Sequence, residues 1–322
     1  AFDWAPLPCT TEETGDYASA KWVVEQLGEK HEKPFFLACG IYRPHLPFYV
    51  PKKYFDKFPV DDIQLPRTLK EDLDDIPALG KQLAKRRYHD NVTQAGEWEN
   101  AVQGYLASIN YADELTGMVL DALASSEYAD NTIVIIYSDH GWQLGEKQHW
   151  QKHALWENLI KSVLMIKTPA GLLNGRALNS QGSVSHRNVS LLDVFPTLVE
   201  LCELPEKEGL AGRSLTPLLI DPTKRDWNYP VISMQGSEYF SVRKEDWHYI
   251  QYSEDEMELY HLKDDPEEWQ NLAGKSEYIQ KINELKRCLP SVKKAFVKTK
   301  PILWADVLSG KTKFDRTKFD EK

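Results

Sequence analysis

Cysteine is scarce in this sequence, with four in 322 residues at Cys9, Cys39, Cys202 and Cys288. They stand too far apart for a C-x-x-C pair or a zinc spacing, which excludes a redox motif and a thiolate metal site. Cys39 and Cys202 lie in apolar segments and are expected to be buried thiols. Long apolar runs are missing too. The longest, Pro34–Ile41 and Thr132–Tyr137, have strand length, far short of the roughly 18 residues of a spanning helix. Positive charge is in deficit: 39 basic against 49 acidic residues leave a formal charge of -10. Such a surface repels phosphate backbones and excludes nucleic acid as the main partner, though not a local pocket for a small anion. Internal repeats and low-complexity stretches are absent. The chain opens on Ala1, without a signal-like segment, and its first residues read like the interior of a longer protein.

What remains is ordinary globular material, 42% hydrophobic and 27% charged, enough for a large α/β domain with a smaller one. Asp16 to about His31 has helical periodicity, with Ala20, Val23, Val24 and Leu27 on one face. Phe35–Gly40 reads as a buried parallel strand that empties into Tyr42-Arg43-Pro44-His45-Leu46-Pro47. Residues 51–98 form a long excursion, either a lid or binding loop or a wandering surface segment. Val102, Tyr105, Ile109, Ala112, Thr116, Val119 and Leu123 predict a long amphipathic helix. Thr132–Tyr137 and Ser162–Lys167 read as buried strands, and Ser190–Leu201 as a helix with Pro196 in its first turns. Beyond Pro205, Val231–Met234, Tyr239–Arg243, His248–Tyr252 and Glu258–Leu262 suggest an antiparallel sheet, with a helix at Ser276–Arg287 packed on it. The resulting division is 1–205, 206–297 and a charged tail, 298–322, expected to fray or wrap the surface.

Functional groups of α/β sheets collect beyond strand ends. Two ends here carry polar clusters, Arg43-Pro44-His45 and Asp139-His140-Gly141. Asp139 and His140 offer a hard oxygen and an imidazole to one metal ion; equally, they read as a turn aspartate and a satisfied histidine. Downstream, Glu146, Lys147, His149, Lys152 and His153 lie among Trp142, Trp150 and Trp156. Lysines in a water-poor site suit an anionic substrate group, while a solvated loop over buried tryptophans explains the same residues. H-E-x-x-H is absent, so zinc has no support.

Ser138-Asp139-His140-Gly141-Trp142-Gln143-Leu144-Gly145-Glu146, continuing through His149-Trp150-Gln151-Lys152, resembles the type I sulfatases, on the iduronate-2-sulfatase-like and bacterial polysaccharide sulfatase branch. Pro34–Phe48, with Phe35-Phe36-Leu37-Ala38 and Arg43-Pro44-His45-Leu46-Pro47-Phe48, Ser190–Leu198 and Glu258–Leu272 resemble three further stretches of that family. The resemblance runs from about Ala1 to Leu289. It implies an alkaline-phosphatase-like α/β core with a smaller antiparallel α+β C-terminal domain, a bound Ca²⁺ (Mg²⁺ in some relatives) and a formylglycine made from Cys or Ser in C/S-x-P-S-R. Carried over by position, Asp139 and His140 are metal ligands, His45 contacts the sulfate and protonates the leaving oxygen, and Lys152 binds sulfate oxygens. These types suit the chemistry: a hard cation wants carboxylate oxygen, a leaving oxygen needs a proton and an anion needs fixed positive charge. Tyr42, Arg43 and Trp142 are candidates for the substrate rim, the aromatic ones by stacking on a sugar or equally by ordinary packing. Relatives are exported, which implies a periplasmic, lysosomal or extracellular setting.

The sequence departs from the family at one decisive place. No C-x-P-S-R or S-x-P-S-R occurs, and the early Asp-Asp metal pair and the basic residues flanking the nucleophile are missing. The expectation is therefore the C-terminal part of a sulfatase, inactive and prone to aggregate without an N-terminal half. The substrate class implied is a sulfated carbohydrate. A phosphonate or phosphate ester hydrolase of the same superfamily and a non-catalytic remnant that binds glycan or a partner are the alternatives.

Overall fold

A computed structural model describes residues 2–173, 182–236 and 238–290. Strand β1 (Trp4–Leu7) leads to helix α1 (Gly15–Gly28), and β2 (Phe48–Pro51) returns parallel to β1 with Trp4 opposite Phe48. The segment expected as a buried strand, Phe35–Gly40, is extended but pairs with no described strand, and Phe36 is 83% exposed. Cys39 and Cys202 are likewise exposed rather than buried. Apolar composition alone does not bury a segment when no neighbour covers it.

The excursion folds into short helices α2 (Lys52–Phe55), α3 (Ala78–Ala84) and α4 (Arg87–Ala95). Its Leu73, Ile76 and Ala84 are core residues, so it is no wandering loop. Helix α5 (Trp98–Ala124) is the spine, as its periodicity predicts, and Val102 and Leu123 of the expected stripe are buried at its two ends. Between them the inward face is carried by Gly104, Ala107, Ser108, Tyr111 and Leu115, beside Ala101 at the start, whereas Ile109 is exposed. Small residues decide this because the backbones approach closely: a Cβ on Gly104 would lie 2.8 Å from Trp4 Cβ.

Strand β3 (Val134–Tyr137), the hairpin β4 (Gln143–Leu144) and β5 (Trp150–Gln151), helix α6 (Glu157–Ile160) and β6 (Leu164–Lys167) follow. β3 and β6 are antiparallel and only half covered, not fully buried as their sequences suggest. Helix α7 (Val194–Leu201) holds Pro196 near its start, where a missing N–H costs nothing, behind a capping box of Ser190 and Asp193. After α8 (Thr216–Ile220), strands β7 (Val231–Gln235), β8 (Tyr239–Lys244), β9 (Trp247–Gln251) and β10 (Met257–His261) form an antiparallel meander in order β10-β9-β8-β7. Helix α9 (Ile279–Lys286) packs Ile282 and Leu285 on Val242, Tyr249 and Leu259 of that sheet. A separate cluster joins Leu73 and Ile76, Leu155 and Trp156, and Ile250 and Tyr260, so excursion, post-hairpin segment and meander share one core. The expected tail, 298–322, lies outside the described residues.

Candidate active site

Strand β3 runs directly into Ser138-Asp139-His140-Gly141. Gly141 lies against α6: its N–H donates to Leu159 O at 2.8 Å, and a Cβ there would meet Asn158 O at 2.0 Å. The hairpin then pairs Gln143 with Gln151 and Leu144 with Trp150. One step outward, that register sets Trp142 opposite Lys152. This is how residues twelve apart in sequence meet: Lys152 Nζ donates to His140 Nε2 at 2.9 Å. His140 Nδ1 donates to Gly141 O at 2.7 Å, which fixes the tautomer and leaves Nε2 as the acceptor. Asp139 Oδ1 is 3.6 Å from the same Nε2, on a side chain 79% exposed.

The second cluster arrives from the other end of the fold. Asp16, in the first turn of α1, accepts the backbone N–H groups of Tyr42 at 3.0 Å and Arg43 at 3.1 Å. Nothing local in the sequence marks Asp16 for this task. Arg43 spends its guanidinium inside the turn, on Tyr49 O at 3.1 Å and His45 O at 3.4 Å. His45 Nδ1 lies 2.7 Å from both Leu46 O and the Tyr42 hydroxyl. Because Leu46 O can only accept, Nδ1 carries a proton, and Nε2 makes no hydrogen bond among the described residues.

Trp142 joins the two clusters. Its ring centroid is 6.0 Å from His45 and 6.1 Å from His140, and it stacks on Tyr105 at 6.2 Å. Its indole N–H is buried without a partner among the described residues. Trp142 is therefore an aromatic wall packed between neighbours, whereas Tyr42, 55% exposed, is the open aromatic surface. Burial pushes the Tyr105 hydroxyl up to about 12, with the Glu146 charge adding to it. Burial also raises Glu146, against the Leu144 N–H that donates to it.

Lys147 is not in the site. It is buried at the hairpin tip, with its ammonium 2.8 Å from Asp72 Oδ1. His149, also fully buried, sets Nδ1 2.6 Å from Ala84 O and Nε2 3.1 Å from Lys152 O. Desolvation lowers its pKa to about 4, against the two carbonyls that favour the charged ring. Lys147, Gln148, Gln151 and His153 all have left-handed backbones, with φ of 49°, 50°, 78° and 78°. Such residues cost about 1–3 kcal/mol each and persist only where surrounding contacts hold them.

A divalent cation of the calcium type gathers six or more oxygen ligands. Asp139 and His140 are two donors, and His140 Nε2 is engaged by Lys152. Among the described residues no group of three or more His, Cys, Asp or Glu side chains is placed to hold a metal. The described residues do not by themselves complete a metal centre, and no cysteine of the sequence stands in a C-x-P-S-R context.

Residues 5–204 match the family model described as Sulfatase, and residues 145–295 that of the N-sulphoglucosamine sulphohydrolase C-terminal region. The chain belongs to the sulfatase family. It is 36% identical over 291 residues to a sulfatase of Formosa agariphila, a match covering 89% of this chain and 56% of that protein. The sulfatase chain thus spans about half the length of the curated relatives it matches. A phosphonate monoester hydrolase from Silicibacter pomeroyi superposes with a TM-score of 0.75 at 19% identity, over 88% of this chain and 60% of that one. A protein solved in complex with its substrate, D-glucosamine-2-N,6-O-disulfate, superposes with a TM-score of 0.62 at 20% identity, over 84% and 68%. This chain has the alkaline-phosphatase-like sulfatase fold expected from the family resemblance, in common with both, and its own C-terminal sheet is antiparallel as expected.

Proposed function

We propose that this chain is the C-terminal part of a sulfuric ester hydrolase that removes sulfate from a sulfated sugar. The observation that carries the reading is the convergence of Lys152, His140 and Asp139, with His45 on the other side of Trp142. Lys152 supplies fixed positive charge to the sulfate oxygens in a half-buried site where it is little screened. Breaking the S–O bond builds charge on the bridging oxygen. His45 keeps its Nδ1 proton on Leu46 O and, in its doubly protonated form, gives the second proton from Nε2 to that oxygen, leaving the neutral ring. Asp139 and His140 would contribute two of the ligands of a Ca²⁺ or Mg²⁺, His140 through Nε2 once Lys152 turns from it to the sulfate, and the remaining ligands, with the formylglycine nucleophile, would lie in an N-terminal half. The missing C/S-x-P-S-R and the half-length match to relatives support that division. Tyr42 is the rim residue best placed to stack on a sugar, since Arg43 is tied to backbone carbonyls. Sulfated glucosamine is the favoured substrate class, because the substrate bound by a protein of this fold and the C-terminal family description both name it.

The test is hydrolysis of matched 4-nitrophenyl sulfate and phosphate by this chain alone and by the product of the uninterrupted reading frame. Lys152→Ala is expected to lower sulfate turnover by about 100-fold or more. An unchanged rate removes Lys152 from the site. The likeness to a phosphonate monoester hydrolase gives a second reading, a phosphorus ester hydrolase, and a phosphate rate above the sulfate rate selects it. Glycan binding that survives without calcium and without turnover would mark a non-catalytic remnant.

A further inference from the structure

We propose that Lys147 is a positioning residue: it transmits the placement of the C-terminal sheet to the β4–β5 hairpin and thereby sets where Lys152 stands. The inference rests on Lys152 as the sulfate-binding group. The hairpin does not hold its own shape. Its ladder pairs only two residues on each strand, and four non-glycine residues in and beside it have left-handed backbones. External clamps must supply the rest. Gln148 Nε2 donates to Lys70 O at 2.8 Å and His149 meets Ala84 O, both within the excursion. Lys147 alone among these reaches the C-terminal sheet. Only 1% exposed, it donates to Asp72 Oδ1 at 2.8 Å and to Glu268 O, with the rings of Tyr260 and Trp156 at 5.3 and 5.9 Å.

Glu268 grips the site segment twice. Its carbonyl takes Lys147 at the hairpin tip, and its side chain accepts the Glu157 N–H at 2.8 Å, where α6 begins. Helix α6 in turn backs Gly141. The Glu268 carboxylate is anchored by His248 Nδ1, whose Nε2 meets Ser241 Oγ at 2.8 Å. A continuous buried chain therefore runs from β8 and β9 to the tip of the hairpin, midway between Trp142 and Lys152, and to the start of α6 beyond it. A buried lysine paired on several sides is costly to disturb, because removing it strands the Asp72 carboxylate.

Acetylation by an N-hydroxysuccinimide ester, read lysine by lysine by peptide mass spectrometry on the whole chain, reports the freedom of Lys152 without requiring turnover. Lys21, 58% exposed, is the internal reference. Lys147→Met is expected to raise the Lys152 to Lys21 ratio by about five-fold or more through local opening of the hairpin. Asp193→Asn is the control for lost stability alone, since Asp193 is also buried and accepts the Ser190 and Arg213 N–H groups, far along the chain from the hairpin. It should leave the ratio unchanged. If Lys147→Met fails to fold, as judged by circular dichroism, Asp72→Asn removes one anchor isosterically and should move the ratio the same way. An unchanged ratio in the folded variant overturns the coupling, as does an equal rise in Asp193→Asn. Failure of the functional reading shows separately, as 4-nitrophenyl sulfate turnover untouched by Lys152→Ala.

Discussion

At the scale of single residues, His45 and His149 separate two uses of one side chain. His45 is half-buried, and its Nε2 makes no hydrogen bond among the described residues, as its proposed contact with substrate requires. His45→Gln is expected to slow hydrolysis of a sugar sulfate by about 10²–10⁴-fold, and to slow 4-nitrophenyl sulfate far less, because nitrophenolate needs little protonation. Equal losses on both substrates would remove the acid role. His149 is enclosed, and its folded pKa of about 4 lies below the ordinary 6.5. Above pH 6.5 the ring is neutral in both states and its contribution to stability is complete. As pH falls from 6.5 towards 4 the unfolded chain takes a proton that the folded one refuses. That loss is about 2 kcal/mol between pH 7 and pH 5, and His149→Gln should shrink it. Urea midpoints at the two pH values measure the difference.

Among the elements, the β3 exit and the hairpin decide the site. Gly141 is required by close approach rather than by a special dihedral, since any side chain would strike the Asn158 carbonyl. Gly141→Ala is expected to cost about 1–3 kcal/mol or more, as overpacking against backbone does, and to shift Asp139 and His140 with the turn. A denaturant midpoint equal to that of the parent would contradict the close approach. The elements themselves were legible wherever the pattern is local. Helices α1, α5 and α9 and all the strands of the C-terminal meander fall within a few residues of their periodic signals. The middle of the inward face of α5 was not legible, because Gly104 matters there through the Trp4 and Phe48 side chains it admits. The buried position of Lys147 was not legible either. Its partners Asp72 and Glu268 lie 75 and 121 residues away.

Across the whole molecule, apolar side chains stand uncovered where a sheet would continue. Phe36, Tyr137 and Met165 are 83%, 58% and 56% exposed, and among the described residues β3 and β6 pair only with each other. Open strand edges and apolar faces drive association. The chain by itself is therefore expected to self-associate with concentration, and co-expression with an N-terminal sulfatase half should abolish this. Sedimentation velocity checks it: a monomer at all concentrations that unfolds cooperatively would argue that these faces need no partner.

The chain's own order of residues determined the family likeness, the placing of Asp139 and His140 just beyond a strand, and the lack of a nucleophile motif. Each is a matter of residue identity at short spacing. Tertiary structure alone decided that Lys152 meets His140, that Trp142 is walled in by Tyr105 and that Lys147 leaves the site for the core. Those outcomes depend on contacts between distant segments, whose free energies are set by burial and pairing that no local pattern encodes.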